Sequence, residues 1–157
     1  MGTKATAEIL RRGDRRGEGI RFDEFRAQKN ELDLELDHLT EAIIGACIEV
    51  HRELGPGLTE NFYEAALCRG FDVRQIDYQR QVPIPVTYKG AEIGQTRIDL
   101  VVAGRVIVEL KSCETLTAVH RAQLICYLQI TGLKVGLLAN FNVAILKDGI
   151  KRVVRTR

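Results

Sequence analysis

The stretch that decides the fold is Arg97–Lys111, R-I-D-L-V-V-A-G-R-V-I-V-E-L-K. Two dense runs of β-branched and apolar residues flank Ala103-Gly104-Arg105, the composition of a β-hairpin. Their unbroken apolar character predicts strands buried on both faces. Asp99 is the outlier, because a carboxylate inside I-D-L-V-V is costly to bury unless it is paired or bound to a metal. Glu109 and Lys111 stand two residues apart, so the strand period puts both side chains on one face. Whether Asp99 joins them depends on the turn. A three-residue connection with a left-handed residue at or beside Gly104 sets Asp99 opposite Glu109, and a two-residue turn sends them to opposite faces.

Upstream, Y-Q-R-Q-V-P-I-P-V-T-Y (Tyr78–Tyr88) alternates as a strand does, and Pro83 and Pro85 remove two ladder donors, which suits an edge. Lys89-Gly90 reads as a turn. Leu39, Ile43, Cys47, Val50 and Leu54 recur at helical spacing, predicting a first helix from about Thr40 to Leu54. Thr40 is its expected cap, Leu39 and Ile44 its staple, and Gly55-Pro56-Gly57 its stop. A second helix is expected from about Leu58 to Arg74, with Phe62, Tyr63, Ala66, Leu67 and Phe71 on its apolar side and Gly70 as a weak point. Downstream, Thr117 caps a third helix that runs to Ile130 and stops at Gly132. Val135–Asn140, Val143–Leu146 and Ile150–Val154 read as strands, with Asp148-Gly149 turning into the last. This order predicts an α/β or α+β fold with a mixed sheet.

The 157 residues, 45% hydrophobic and 28% charged, suffice for one ordinary core. No apolar run approaches the roughly 20 residues needed to span a bilayer, and M-G-T-K-A-T-A-E-I-L-R-R lacks the apolar centre of a signal peptide. The expected setting is cytoplasmic and away from membranes. Cys47, Cys68, Cys113 and Cys126 form no C-x-x-C pair, which argues for reduced thiols and for any metal being held by oxygen. Lys and Arg number 23 against 21 Asp and Glu, a net +2, so a nucleic-acid partner must be argued from a local site. Residues 1–36 read as a charged, flexible extension, leaving 37–157 as the domain. Its first part is basic (Arg11, Arg12, Arg15, Arg16, Arg21) and its last part acidic (Glu31, Asp33, Glu35), which suits either a nucleic-acid arm or a solvated, self-pairing segment.

Asp99 and Glu109 on neighbouring strands, with a backbone carbonyl between Glu109 and Lys111, make an all-oxygen site suited to Mg²⁺ or Mn²⁺. A lysine beside it can orient or deprotonate a water, or neutralise charge on a pentavalent phosphate. That chemistry is phosphodiester hydrolysis. A salt bridge from Lys111 to Asp99 or Glu109 is the structural alternative. Glu60, Tyr63 and Leu67 lie at i, i+3 and i+7 on the second helix, and His120, Gln123 and Tyr127 share a side of the third. Such polar stripes line clefts, and they also mark ordinary boundaries between core and solvent. His120 has no second histidine or cysteine spaced to help it hold zinc.

G-L-T-E-N-F-Y (Gly57–Tyr63) fits a G-x-x-E-x-x-Y signature. With I-E-V-H-R-E-L-G-P-G-L, R-Q-V-P-I-P-V, V-I-V-E-L-K-S and L-K-D-G-I-K-R-V-V, the chain resembles the GxxExxY family of the PD-(D/E)XK nuclease superfamily over about residues 38–155. The resemblance implies a restriction-endonuclease-like mixed sheet flanked by helices and a metal-dependent nuclease acting on DNA or RNA. It makes Asp99, Glu109 and Lys111 the D and E-x-K of the catalytic core, and Glu60 the acid of the preceding helix. Asp99, Glu109 and Glu60 would then hold Mg²⁺ or Mn²⁺. Gln123 and Tyr127, in Q-L-I-C-Y, resemble the substrate-positioning Q-x-x-x-Y element of RecB-type nucleases. The sequence departs from the family at Gly70, where a glutamate is usual, at Gln75, which replaces a turn glycine, and at Arg121, where an acid is common. Small proteins of this fold often complete their groove with a second copy, so a homo-oligomer is expected. The rival expectation is a noncatalytic nucleic-acid-binding or self-assembling module on the same scaffold.

Overall fold

The apolar runs of the hairpin stretch become the middle of a five-stranded sheet in the computed structural model, which describes residues 22–156. Helix α1 (Phe22–Leu54) and helix α2 (Glu60–Arg74) precede strands β1 (Tyr78–Tyr88), β2 (Ala91–Val102) and β3 (Val106–Lys111). Helix α3 (Ala118–Thr131), strand β4 (Val135–Asn140), the single turn α4 (Leu146–Gly149) and strand β5 (Ile150–Val154) follow. The strands lie in the order β1-β2-β3-β4-β5. Only β3 and β4 run parallel, and α3 is the crossover that a parallel pair requires. The result is a mixed α+β fold of the restriction-endonuclease-like type.

The chain divides into two units, Met1–Glu41 and Ala42–Arg157. Of the first, the described part is helical. Here the expected start of the first helix is corrected, because the helix reaches back to Phe22 and Thr40 is not its cap. The Thr40 hydroxyl instead donates to the Leu36 carbonyl one turn earlier, at 2.7 Å. Residues 22–38 contain no glycine or proline and include three Glu and three Leu with Arg26, Ala27, Gln28 and Lys29, so helix propagates there on propensity without an apolar stripe to announce it. The basic arginines from Arg11 to Arg21 lie outside the described residues.

In the second unit, β1 is an edge strand, as Pro83 and Pro85 demand. It pairs with β2 through a tight turn in which Lys89 (φ 47°) and Gly90 (φ 79°) are both left-handed. Strand β2 begins six residues before the quoted stretch, so this hairpin is longer than its apolar half. Strands β3 and β4 are buried from Val106 to Leu110 and from Val135 to Asn140. Helix α3 covers one side of the sheet, with Leu124, Tyr127 and Leu128 packed among Ile84, Ile98, Val101, Ile107, Leu138 and Val153. Gly136 allows that approach, since a Cβ there would sit 2.6 Å from Leu124 Cδ1. Thr117 caps α3 in a box with His120: Thr117 Oγ1 accepts from His120 N–H, and His120 Nδ1 accepts from Thr117 N–H. Gly132 ends the helix at φ 75°.

The expected strand Val143–Leu146 is also corrected. Residues 142–145 bend, and Leu146 opens the single turn α4. The Val143 carbonyl, which a ladder would have used, accepts instead from Nε2 of the buried His51 at 2.8 Å. Gly149 packs so closely that a Cβ would collide with the Asn140 carbonyl oxygen, which holds the turn against the end of β4.

Candidate active site

The connection between β2 and β3 has three residues, with Val102 opposite Val106 and with Ala103 (φ 50°) and Gly104 (φ 63°) left-handed. That parity places Asp99 across from Glu109. The ladder itself stops one pair earlier, at Leu100 and Val108. Beyond it, side chains replace carbonyls: Asp99 N–H donates to Glu109 Oε1 at 3.0 Å, and Leu110 N–H donates to Asp99 Oδ2 at 2.9 Å. The two strands therefore fork, and both carboxyl groups are wedged into the fork. Each spends one oxygen on a backbone N–H of the facing strand.

Burial pushes the Glu109 carboxyl up to about 8, and the neighbouring Asp99 charge adds to the effect. The Asp99 N–H and Lys111 act in the other direction. Asp99 is raised too, first by burial and further by Glu64, while Leu110 N–H, Lys111 and Gln81 oppose the shift. Two acids a hydrogen bond apart in a part-buried fork repel, and a cation or a shared proton relieves them.

Lys111 ends β3 on the same side of the strand as Glu109, and its Nζ donates to Gln123 Oε1 of α3 at 3.3 Å. The bland alternative, an ion pair from this lysine to Asp99 or Glu109, is not the contact formed. The segment after Lys111 is pinned on three sides. Phe141 N–H donates to the Lys111 carbonyl at 2.9 Å, and Ser112 Oγ donates to the Leu58 carbonyl at 2.7 Å. The buried Asn140 side chain bonds both the N–H and the carbonyl of Cys113.

Glu60 is the exposed first residue of α2, and it lines an open cleft of about 730 Å³ together with Asp99, Glu64, Gln81 and Ser112. The tyrosine of G-x-x-E-x-x-Y explains that placement. Tyr63 is buried, stacks on Phe141 with ring centroids 4.4 Å apart, donates its hydroxyl proton to the Gly55 carbonyl and accepts from Leu58 N–H. It braces the Gly55-Pro56-Gly57 loop and so sets where α2 begins. Tyr127 is placed differently from Gln123. It is buried in the core beneath α3, and its hydroxyl shares a hydrogen bond with Thr96 Oγ1 at 3.0 Å.

Two residues of the cleft escaped the sequence reading. Glu64 is buried on α2, one turn after Glu60, and accepts from Arg80 Nε at 3.0 Å and from Gln81 Nε2 at 2.8 Å. Gln81 also reaches Asp99 Oδ1, at 3.4 Å. The spacing of Glu60 and Glu64 is a signal that could have found the first. Nothing in the residue pattern marks the second.

The donors at the fork are carboxylate oxygens, a set that fits a hard divalent cation rather than zinc. Asp99 and Glu109 are the two that would hold it, with Glu60 across the cleft. Among the described residues, no group of three or more His, Cys, Asp or Glu side chains is already gathered as a metal site. No helix among the described residues is long and apolar enough to cross a membrane. A family model described as the PD-(D/E)XK nuclease superfamily matches residues 37–153. No curated protein and no solved structure matches the chain. Nucleases of that superfamily generally use divalent metal ions and act on nucleic acid.

Proposed function

The chain belongs to the PD-(D/E)XK nuclease superfamily, and from that premise we propose that it is a Mg²⁺- or Mn²⁺-dependent phosphodiesterase that cleaves DNA or RNA at the fork of β2 and β3. The observation that carries the reading is the fork itself, which brings Asp99, Glu109 and Lys111 to one end of one hairpin. In this reading Asp99 and Glu109 hold the cation, and Glu60 joins them directly or through a water from the facing wall of the cleft. The cation, when bound, supplies a more acidic water and charge neutralisation at the phosphate.

Lys111 activates the attacking water or stabilises the developing charge, and Gln123 holds its amino group by accepting a hydrogen bond from it. Tyr127 contributes indirectly, by anchoring α3 to β2 through Thr96 so that Gln123 stays beside Lys111. The G-x-x-E-x-x-Y segment at Gly57–Tyr63 supports a finer assignment to the GxxExxY branch of the superfamily. The test is cleavage of single- and double-stranded DNA and RNA with Mg²⁺ or Mn²⁺. The parent should cut at least one of them, and Lys111→Ala should lose cleavage by about 100-fold or more while keeping its melting temperature. Retained cutting in Lys111→Ala would exclude this mechanism.

A further inference from the structure

Gln81 is set apart by two departures from strand geometry. Its φ is 49°, in the left-handed region, within an 11-residue strand. The β1–β2 ladder pairs Arg80 with Leu100 and Val82 with Ile98, and passes over Gln81 and Asp99 between them. Gln81 therefore lies across from Asp99 on one side just as Glu109 does on the other. Ile98 and Val101, an odd three residues apart, both join the α3-side core, so the side-chain alternation of β2 slips at this same place.

Strain of this kind at a non-glycine residue persists only where the surroundings over-determine it, and it gathers at functional sites. The surroundings are two carboxylates. Gln81 Nε2 lies 2.8 Å from Glu64 Oε2 and 3.4 Å from Asp99 Oδ1. Only the amide NH₂ can face both, because the carbonyl end has nothing to donate. Glu64 is itself held through its other oxygen by Arg80. Gln81 is thus strung between an acid that is pinned and an acid at the fork.

Resting on the nuclease reading above, we propose that Gln81 is a positioning residue: by tethering Asp99 to the pinned Glu64, it fixes the carboxylate that would hold the cation. The strained backbone is what turns its side chain to that task. Groups that hydrogen-bond a metal-holding carboxylate typically change metal affinity by about 10- to 100-fold when removed.

The experiment is calorimetric titration of Mn²⁺ into the full chain, with melting temperatures measured without metal, for the parent, Gln81→Met, Gln81→Gly and Asp99→Asn. Methionine keeps the length and the strain but has no donor. Glycine accepts a φ of 49° freely and removes tether and strain together. Both Gln81 variants should bind Mn²⁺ about 10- to 100-fold more weakly, with the glycine variant melting no lower than the parent. Parental affinity in either variant, or a loss of affinity in both that only follows a fall in melting temperature, would overturn the positioning role while leaving the fork as a metal site. Absence of Mn²⁺ binding by the parent itself would overturn the nuclease centre and the tether with it.

Discussion

Asp99 and Glu109 take the places of ladder carbonyls, accepting backbone N–H groups with side-chain oxygens. Asn and Gln keep an acceptor at the same position, so an Asp99→Asn, Glu109→Gln double variant should retain the fork while losing the charge that a cation needs. Calorimetry should show Mn²⁺ binding in the parent and none in the double variant, and binding that survives would remove these residues from the ligand set. The raised Glu109 carboxyl also gives a pH dependence of defined sign. Its folded value of about 8 lies above the ordinary 4.5, so the protonated form is favoured by folding. That contribution is complete below about pH 4.5 and is lost as pH rises through about 8. In chelator, the melting temperature of the parent relative to Glu109→Gln should therefore fall between pH 5 and 8.5, and a flat difference would contradict the burial argument. Asp99 was legible in the sequence because a charge in an apolar run is costly. Gln81 was not, since a glutamine, unlike a glycine, does not announce a left-handed backbone within a strand.

At the scale of elements, the G-x-x-E-x-x-Y segment is a brace as much as a signature. Tyr63 serves the Gly55 carbonyl and the Leu58 N–H with one hydroxyl, and Ser112 ties the same loop to the end of β3. Tyr63→Phe leaves two partly buried backbone groups without that partner, and it should cost about 1–3 kcal/mol in denaturant unfolding. Cleavage should fall in the same variant, because Glu60 begins the helix that this loop aims. A stability equal to the parent would show that the loop holds without the hydroxyl. Helix α3 was read nearly to the residue, its Thr117 cap and Gly132 stop being local chemistry. The start of α1 was not, because the apolar stripe used to find it begins well after the helix does. The segment Val143–Leu146 was misread for a related reason. A short apolar run is the same for a strand and for a bend that buries only its last residue, and the bend here is tied down by His51, 92 residues away in the chain.

For the whole molecule, exposed apolar side chains such as Phe62, Val73 and Val119 leave surface for a second copy. Homo-oligomerisation is the expected outcome, and a solution mass equal to 17.6 kDa at high concentration, by light scattering after gel filtration, would count against it. What the sequence by itself determined is the local pattern: the hairpin, the proline-marked edge, the caps of α3, and the face shared by Glu109 and Lys111. These follow from periodicity and from hydrogen bonds between near neighbours, which adjacent residues encode. Only the tertiary structure decided that Asp99 meets Glu109, because a one-residue change in the turn would have sent it to the other face. Likewise Lys111 reaches Gln123 across 12 residues, and Gln81 links Glu64 and Asp99 across 17 and 18. Such meetings depend on how helices seat on a twisted sheet, and the spacing of residues along the chain does not specify that.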